Sequence, residues 1–97
     1  MQLSLLHTIS GRGPDLGLSA YIDDLATFEA EGFQRVWAAQ MPDAPDALTY
    51  LAVAGRAVPN IEFATGVLPI QPQHPMQLAQ RALTTNSMVD GRLSLGI

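Results

Sequence analysis

The side chains of this chain that could do chemistry are few, and they fall at the ends of apolar runs. His7 closes a run at residues 2–8, Gln40 and Met41 follow a second at 35–40, and Gly66-Val67-Leu68-Pro69 closes a third that begins at Ile61. An imidazole at such an end can meet a ligand or change charge near neutrality. Alternation with Leu3 and Leu5 fits a core-facing histidine equally well. Gln40 can donate and accept hydrogen bonds but cannot exchange a proton, and Met41 offers only a polarisable surface. Acid–base catalysis through this pair is therefore excluded, and Gln40 reads either as a contact to a polar ring edge or as an amide satisfied by loop backbone. His74 stands directly before Pro75, where an imidazole can cap a helix. With no cysteine, and with two histidines far apart, the chain has no convincing metal site. No residue declares itself as a catalytic acid, base or nucleophile.

Glycines add two further candidates. The segment Gly11-Arg-Gly13-Pro-Asp-Leu-Gly17 invites comparison with the dinucleotide fingerprint, but its last glycine falls one residue late and Pro14 interrupts it. The second run also ends in Gln40, where that fingerprint wants an acid for the ribose. A glycine-rich loop remains, with Arg12 available to close over an anionic substrate or cofactor tail. Gly66 interrupts an otherwise β-branched and aromatic run, which marks a bulge or a close backbone approach. Trp37 and Tyr50 read as packing.

The elements that must position these residues repeat one unit. Residues 61–97 read as strand, proline-punctuated loop, helix from Pro75 to about Met88, Asp90-Gly91 turn and strand. Upstream, the strand at 2–8 precedes a helix capped by Ser19 with Ile22, Leu25, Ala26 and Phe33 at helical spacing, ended by Gly32. A strand at 35–40 follows, then a helix capped by Asp46 that presents Leu48, Leu51, Ala52 and Gly55 and stops at Pro59-Asn60. The third helix presents Leu78, Ala79, Ala82 and Leu83. The order βαβαβαβ specifies an α/β fold with a parallel sheet and right-handed crossovers, in which ligands bind at the carboxyl ends of the strands.

Composition narrows the classes. No apolar run approaches the ~20 residues of a membrane span, and no cationic leader precedes an apolar core, so a cytoplasmic location is expected. A net charge of −4, with five arginines, no lysine and no basic cluster, argues against nucleic-acid or membrane partners.

Several short motifs recur together: Phe33-Gln-Arg-Val36-Trp37, Asp46-Ala-Leu-Thr49 with Leu51-Ala-Val-Ala-Gly-Arg56, Thr65-Gly-Val-Leu-Pro69, His74-Pro75 and Gly91-Arg-Leu-Ser-Leu-Gly96. In this order and spacing the chain resembles the bacterial luciferase-like monooxygenase family, and within it the deazaflavin-dependent oxidoreductases. The resemblance implies a TIM-type (β/α)8 barrel that binds the 8-hydroxy-5-deazaflavin coenzyme (F-420), with FMN the alternative, and exchanges hydride at the ring C5 position with a small-molecule substrate. It implies a cofactor site of Gln40, Gly66, Val67, Pro69 and His7, with a non-prolyl cis peptide at Gly66-Val67 behind the ring. Pro69 can offer that site only its carbonyl. Gln40 and Met41 stand where some relatives carry an Asp-His pair, so proton transfer by that pair is not carried over.

A complete barrel takes ~250 residues. Residues 1–97 are therefore expected to form the amino-terminal half of a barrel belonging to a larger enzyme. The competing functional class is a non-enzymatic half-barrel that assembles with another chain, as in a homo-oligomer, through its sheet edges. A Rossmann-type domain is the third reading.

Overall fold

The computed structural model describes residues 3–97, so the part of the first expected strand at Gln2 lies outside the described residues. Seven elements follow in order: β1 (Ser4–Leu6), α1 (Leu18–Ala30), β2 (Arg35–Ala38), α2 (Ala47–Ala57), β3 (Glu62–Thr65), α3 (Pro75–Met88) and β4 (Leu93–Ser94). The strands form one parallel sheet in the sequential order β1-β2-β3-β4. That order is not the 3-2-1-4 arrangement of a doubly wound dinucleotide fold, which removes the Rossmann reading.

Register separates the two faces of the sheet. Leu5, Val36, Phe63 and Leu93 form one row across the four strands, and Val36 and Phe63 in it are fully buried beneath the helices. The next row, Leu6, Trp37, Ala64 and Ser94, points to the opposite face, where Leu6 is 65% exposed. Contacts of α2 with both α1 and α3 place the helices together on one side, as right-handed crossovers between sequential strands require. Single-sided covering of a parallel sheet is the barrel arrangement.

Local chemistry explains the helix boundaries. Asp46 caps α2 by accepting the Thr49 amide at 3.0 Å. His74 caps α3 by accepting the Met76 amide on Nδ1 at 3.1 Å, with Pro75 in the first turn. At the end of α1 the Gly32 amide bonds to the Glu29 carbonyl and the Phe33 amide to the Phe28 carbonyl, and the Phe28 and Phe33 rings meet edge-to-face. This is the glycine stop with its hydrophobic contact.

The start of α1 departs from expectation. Ser19 lies inside the helix, and its amide and that of Gly17 are taken by the Asp15 carboxylate at 2.9 and 3.1 Å. A turn with left-handed Leu16 and Gly17 lets Asp15 reach back over the first amides. Among the small and apolar helix residues, Ala26, Ala79 and Leu83 face solvent, while Tyr21, Tyr50, Ala54 and Thr85 are buried.

Candidate functional site

The carboxyl ends of β2 and β3 meet through backbone. The Gly66 amide donates to the Ala38 carbonyl at 2.9 Å, and the Gln40 amide donates to the Val67 carbonyl at 3.2 Å. On the other side of β3, the Leu68 amide reaches the Gly96 carbonyl at 2.9 Å. The Gly66-Val67 peptide is cis, the arrangement implied by the resemblance. Val67 is 53% exposed. Gly66 sits against the indole of Trp37: a Cβ there would lie 3.1 Å from Trp37 Cε3, so a side chain at position 66 would require the tryptophan to give by a few tenths of an ångström.

Thr65, fully buried, brackets Gly96 by donating to its carbonyl at 2.9 Å and accepting its amide at 2.8 Å. A Cβ on Gly96 would run into the Thr65 carbonyl. The Leu95-Gly96 pair had this much signal in the sequence, because a glycine late in a strand marks a close approach.

Gln40 is fastened to its own loop. Its Nε2 donates to the Met41 and Pro45 carbonyls at 3.0 and 3.1 Å, and its Oε1 accepts the Ala47 amide at 2.7 Å. Both amide protons are thus spent on protein, leaving one acceptor lone pair for anything else. An open groove of about 380 Å³ brings Gln40 and Pro69 together with Asp46, Gln73 and Arg81. The Pro69 carbonyl, the one polar group it offers, already accepts from Gln73 Nε2 at 3.2 Å.

His7 faces the other way. Its ring stacks on Tyr21 with centroids 4.7 Å apart, meets Phe28 edge-to-face, and places Nε2 3.0 Å from Asp24 Oδ2. The imidazole is therefore held on the helix side of the sheet, consistent with the row that Leu5 and Val36 share. Sequence alternation had left both faces open to it. Tyr21 completes the cluster by donating to the His7 carbonyl at 3.0 Å, and burial pushes its phenol well above the usual range.

Two rim loops also touch. Gly11, with a left-handed φ of 71°, packs on Pro45 so tightly that a Cβ would overlap the proline ring. Between these loops lies a polar cavity of about 320 Å³ lined in part by Thr8, Ser10, Arg12, Met41 and Asp43. Arg12 makes no ion pair among the described residues.

Comparison with known proteins decides the lineage. The profile of the luciferase-like monooxygenase family matches residues 3–97. The chain belongs to this luciferase-like family. A curated relative, the 4-hydroxyprotoasukamycin monooxygenase of Streptomyces nodosus subsp. asukaensis, is 30% identical over 98% of the chain, which spans 27% of that relative's length. Among solved structures, the oxygenating constituent of 3,6-diketocamphane monooxygenase from Pseudomonas putida, a type II Baeyer-Villiger monooxygenase in complex with FMN, superposes with a TM-score of 0.83 at 22% identity, covering 100% of this chain and 29% of that one. The coenzyme F420-dependent tetrahydromethanopterin reductase of Methanopyrus kandleri gives 0.79 at 17% identity, covering 97% of this chain and 26% of that one. At these identities the two structures establish the fold, and the chain is a partial barrel within it.

Proposed function

We propose that this chain supplies four consecutive strands of the barrel of a flavin- or deazaflavin-dependent oxidoreductase of the luciferase-like family, acting on a small organic substrate. The observation that carries the reading is the family match across residues 3–97. The candidate ring site is the carboxyl end of β3, at Gly66 and Val67.

The residues there suit a flat, largely apolar ring. Gly66 presents backbone with no side chain above the Trp37 indole, and Val67 leaves an apolar surface exposed beside it. Such a ring, when bound, would supply the redox chemistry by taking or giving hydride, at C5 of a deazaflavin or N5 of a flavin. The chain's own contribution is support. Gln40 has one lone pair left for a donor on the ring edge, and its amide protons hold the loop that borders the site. Neither Gln40 nor Met41 can carry a proton, so acid–base work falls to substrate, water or residues outside this pair. His7 is left out of the ring site because its ring is held on the helix side.

The deazaflavin coenzyme is the first reading and FMN the second; the structural neighbours include an enzyme of each kind. Titrating the full-length protein with each ring, followed by fluorescence and by reduction and reoxidation in the presence of oxygen, tests the proposal. One of the two is expected to bind and turn over. A full-length protein that binds neither would refute it.

A further inference from the structure

We infer that Arg81 is a positioning residue that sets the two rim loops, 41–46 and 69–74, against each other in the arrangement that receives the ring. The inference rests on the reading that the ring seats at the ends of β2 and β3. Arg81 stands in the second turn of α3 and touches neither Gly66 nor Val67 in any hydrogen bond. Its guanidinium instead divides between two loops. Nη1 donates to Gln73 Oε1 at 2.6 Å, and Nη2 pairs with Asp46 Oδ1.

Each partner passes the constraint on. Asp46 is the cap of α2, and its other oxygen accepts the Thr49 amide at 3.0 Å and the Thr49 hydroxyl at 2.5 Å. Gln73 uses its remaining amide to hold the Pro69 carbonyl at 3.2 Å. Gln40 fastens loop 41–46 from its inner end through Met41, Pro45 and Ala47. A continuous polar path therefore runs from the end of β2, through the first turn of α2, across Arg81, and back to Pro69 just beyond the end of β3. Arg81 is the link at which one loop is joined to the other.

Exposure decides what this link is for. The Arg81 side chain is about one-third exposed and that of Asp46 is 41% exposed, and ion pairs so placed contribute little to global stability. What they do fix is geometry, because a planar fork can hold two acceptors at a set angle, which an ammonium on a flexible stem cannot. Loss of the fork should then loosen the rim without unfolding the barrel.

The test uses the full-length protein and the variants Arg81→Met, which keeps the aliphatic stem, and Arg81→Lys, which keeps the charge. Amide hydrogen exchange, thermal midpoint and Kd for FMN and for the deazaflavin coenzyme are measured on each. In Arg81→Met, exchange is expected to quicken in 41–46 and 69–74, with Kd raised about tenfold for the ring that the wild type binds. The thermal midpoint should fall by no more than about 3 °C. Lysine is expected to restore protection in 41–46 through Asp46 while leaving 69–74 loose. Unchanged exchange in the loops, exchange that quickens uniformly with a falling midpoint, or loosened loops with unchanged Kd would each overturn the inference while the functional reading stands. A wild type that binds neither ring removes the functional reading and this inference with it.

Discussion

Replacing Arg92 should destabilise the fold more than replacing any other charged residue described above. Its guanidinium gathers four carbonyls: Nε donates to Val89 at 2.7 Å, Nη1 to Val58 at 2.8 Å and Ile61 at 2.7 Å, and Nη2 to Gly55 at 2.6 Å. These acceptors come from the ends of α2 and α3 and the entry to β3, and the cation lies 5.7 Å from the centroid of the buried Phe63 ring. Hydrogen bonds to a charged group contribute about 1.5–3 kcal/mol each, but Arg92 is only partly buried and water can replace some of them. For Arg92→Met, which keeps most of the stem, a net loss of about 3–4 kcal/mol follows. Arg92→Lys keeps the charge near Phe63 but cannot span four acceptors, so it should recover only about 1 kcal/mol of that. Urea unfolding at constant m-value measures both. A Met variant within about 1 kcal/mol of wild type, or a Lys variant equal to it, would refute the clamp.

Four other substitutions probe the rim and its support. Gly66→Ala should weaken ring binding and cost about 1–3 kcal/mol by forcing Trp37 aside, and Trp37→Leu should relieve much of that cost; a double variant no better than Gly66→Ala would show that Trp37 is not what limits position 66. Thr65→Val leaves the Gly96 amide without its buried partner while the Gly96 carbonyl keeps the Leu68 amide, so thermal or urea unfolding should show a loss of about 1–3 kcal/mol. At Asp46, burial pushes the carboxyl up, but hydrogen bonds from Thr49 and the Arg81 charge outweigh it and hold the group below its ordinary 3.8. Its contribution is therefore present above that value and is lost as pH falls through the lowered one; the gap in midpoint between wild type and Asp46→Asn should close on acidification, and a gap constant down to strong acid would contradict the sign.

Much of the architecture was legible because it depends on neighbours in sequence. Pro75 with His74, Asp46 with Thr49, and Gly32 with Phe33 are signals contained within a few residues, and each ends or begins a helix where expected. Alternation and helical spacing also gave the element order, hence a parallel sheet covered on one side. Ser19 failed as a cap because Asp15 competes for the same amides once Leu16 and Gly17 turn left-handed, a backbone choice that propensity does not announce. Periodicity found apolar faces but could not say which alanines would be covered, since that depends on where the neighbouring helix lies.

The site was less legible for the same reason. Arg92 finds its acceptors through elements 31 to 37 residues upstream as well as in its own turn, and nothing within its own segment distinguishes it from a solvated arginine. Arg81 reaches Asp46 across a separation of 35 residues. His7 was undecidable from alternation alone, because both sheet faces accept an imidazole and only the position of Tyr21, Phe28 and Asp24 chooses between them.

The packing of Gly11 on Pro45 bears on how this rim can be altered. Barrel enzymes invite loop exchange, in which one strand-end loop is swapped for another to change substrate preference. Here the first two loops share a contact with no spare volume, so a graft that replaces either alone brings a foreign surface against a fixed partner. The exchangeable module is the pair: residues around Gly11 and around Pro45 must be transplanted together, as a single lip.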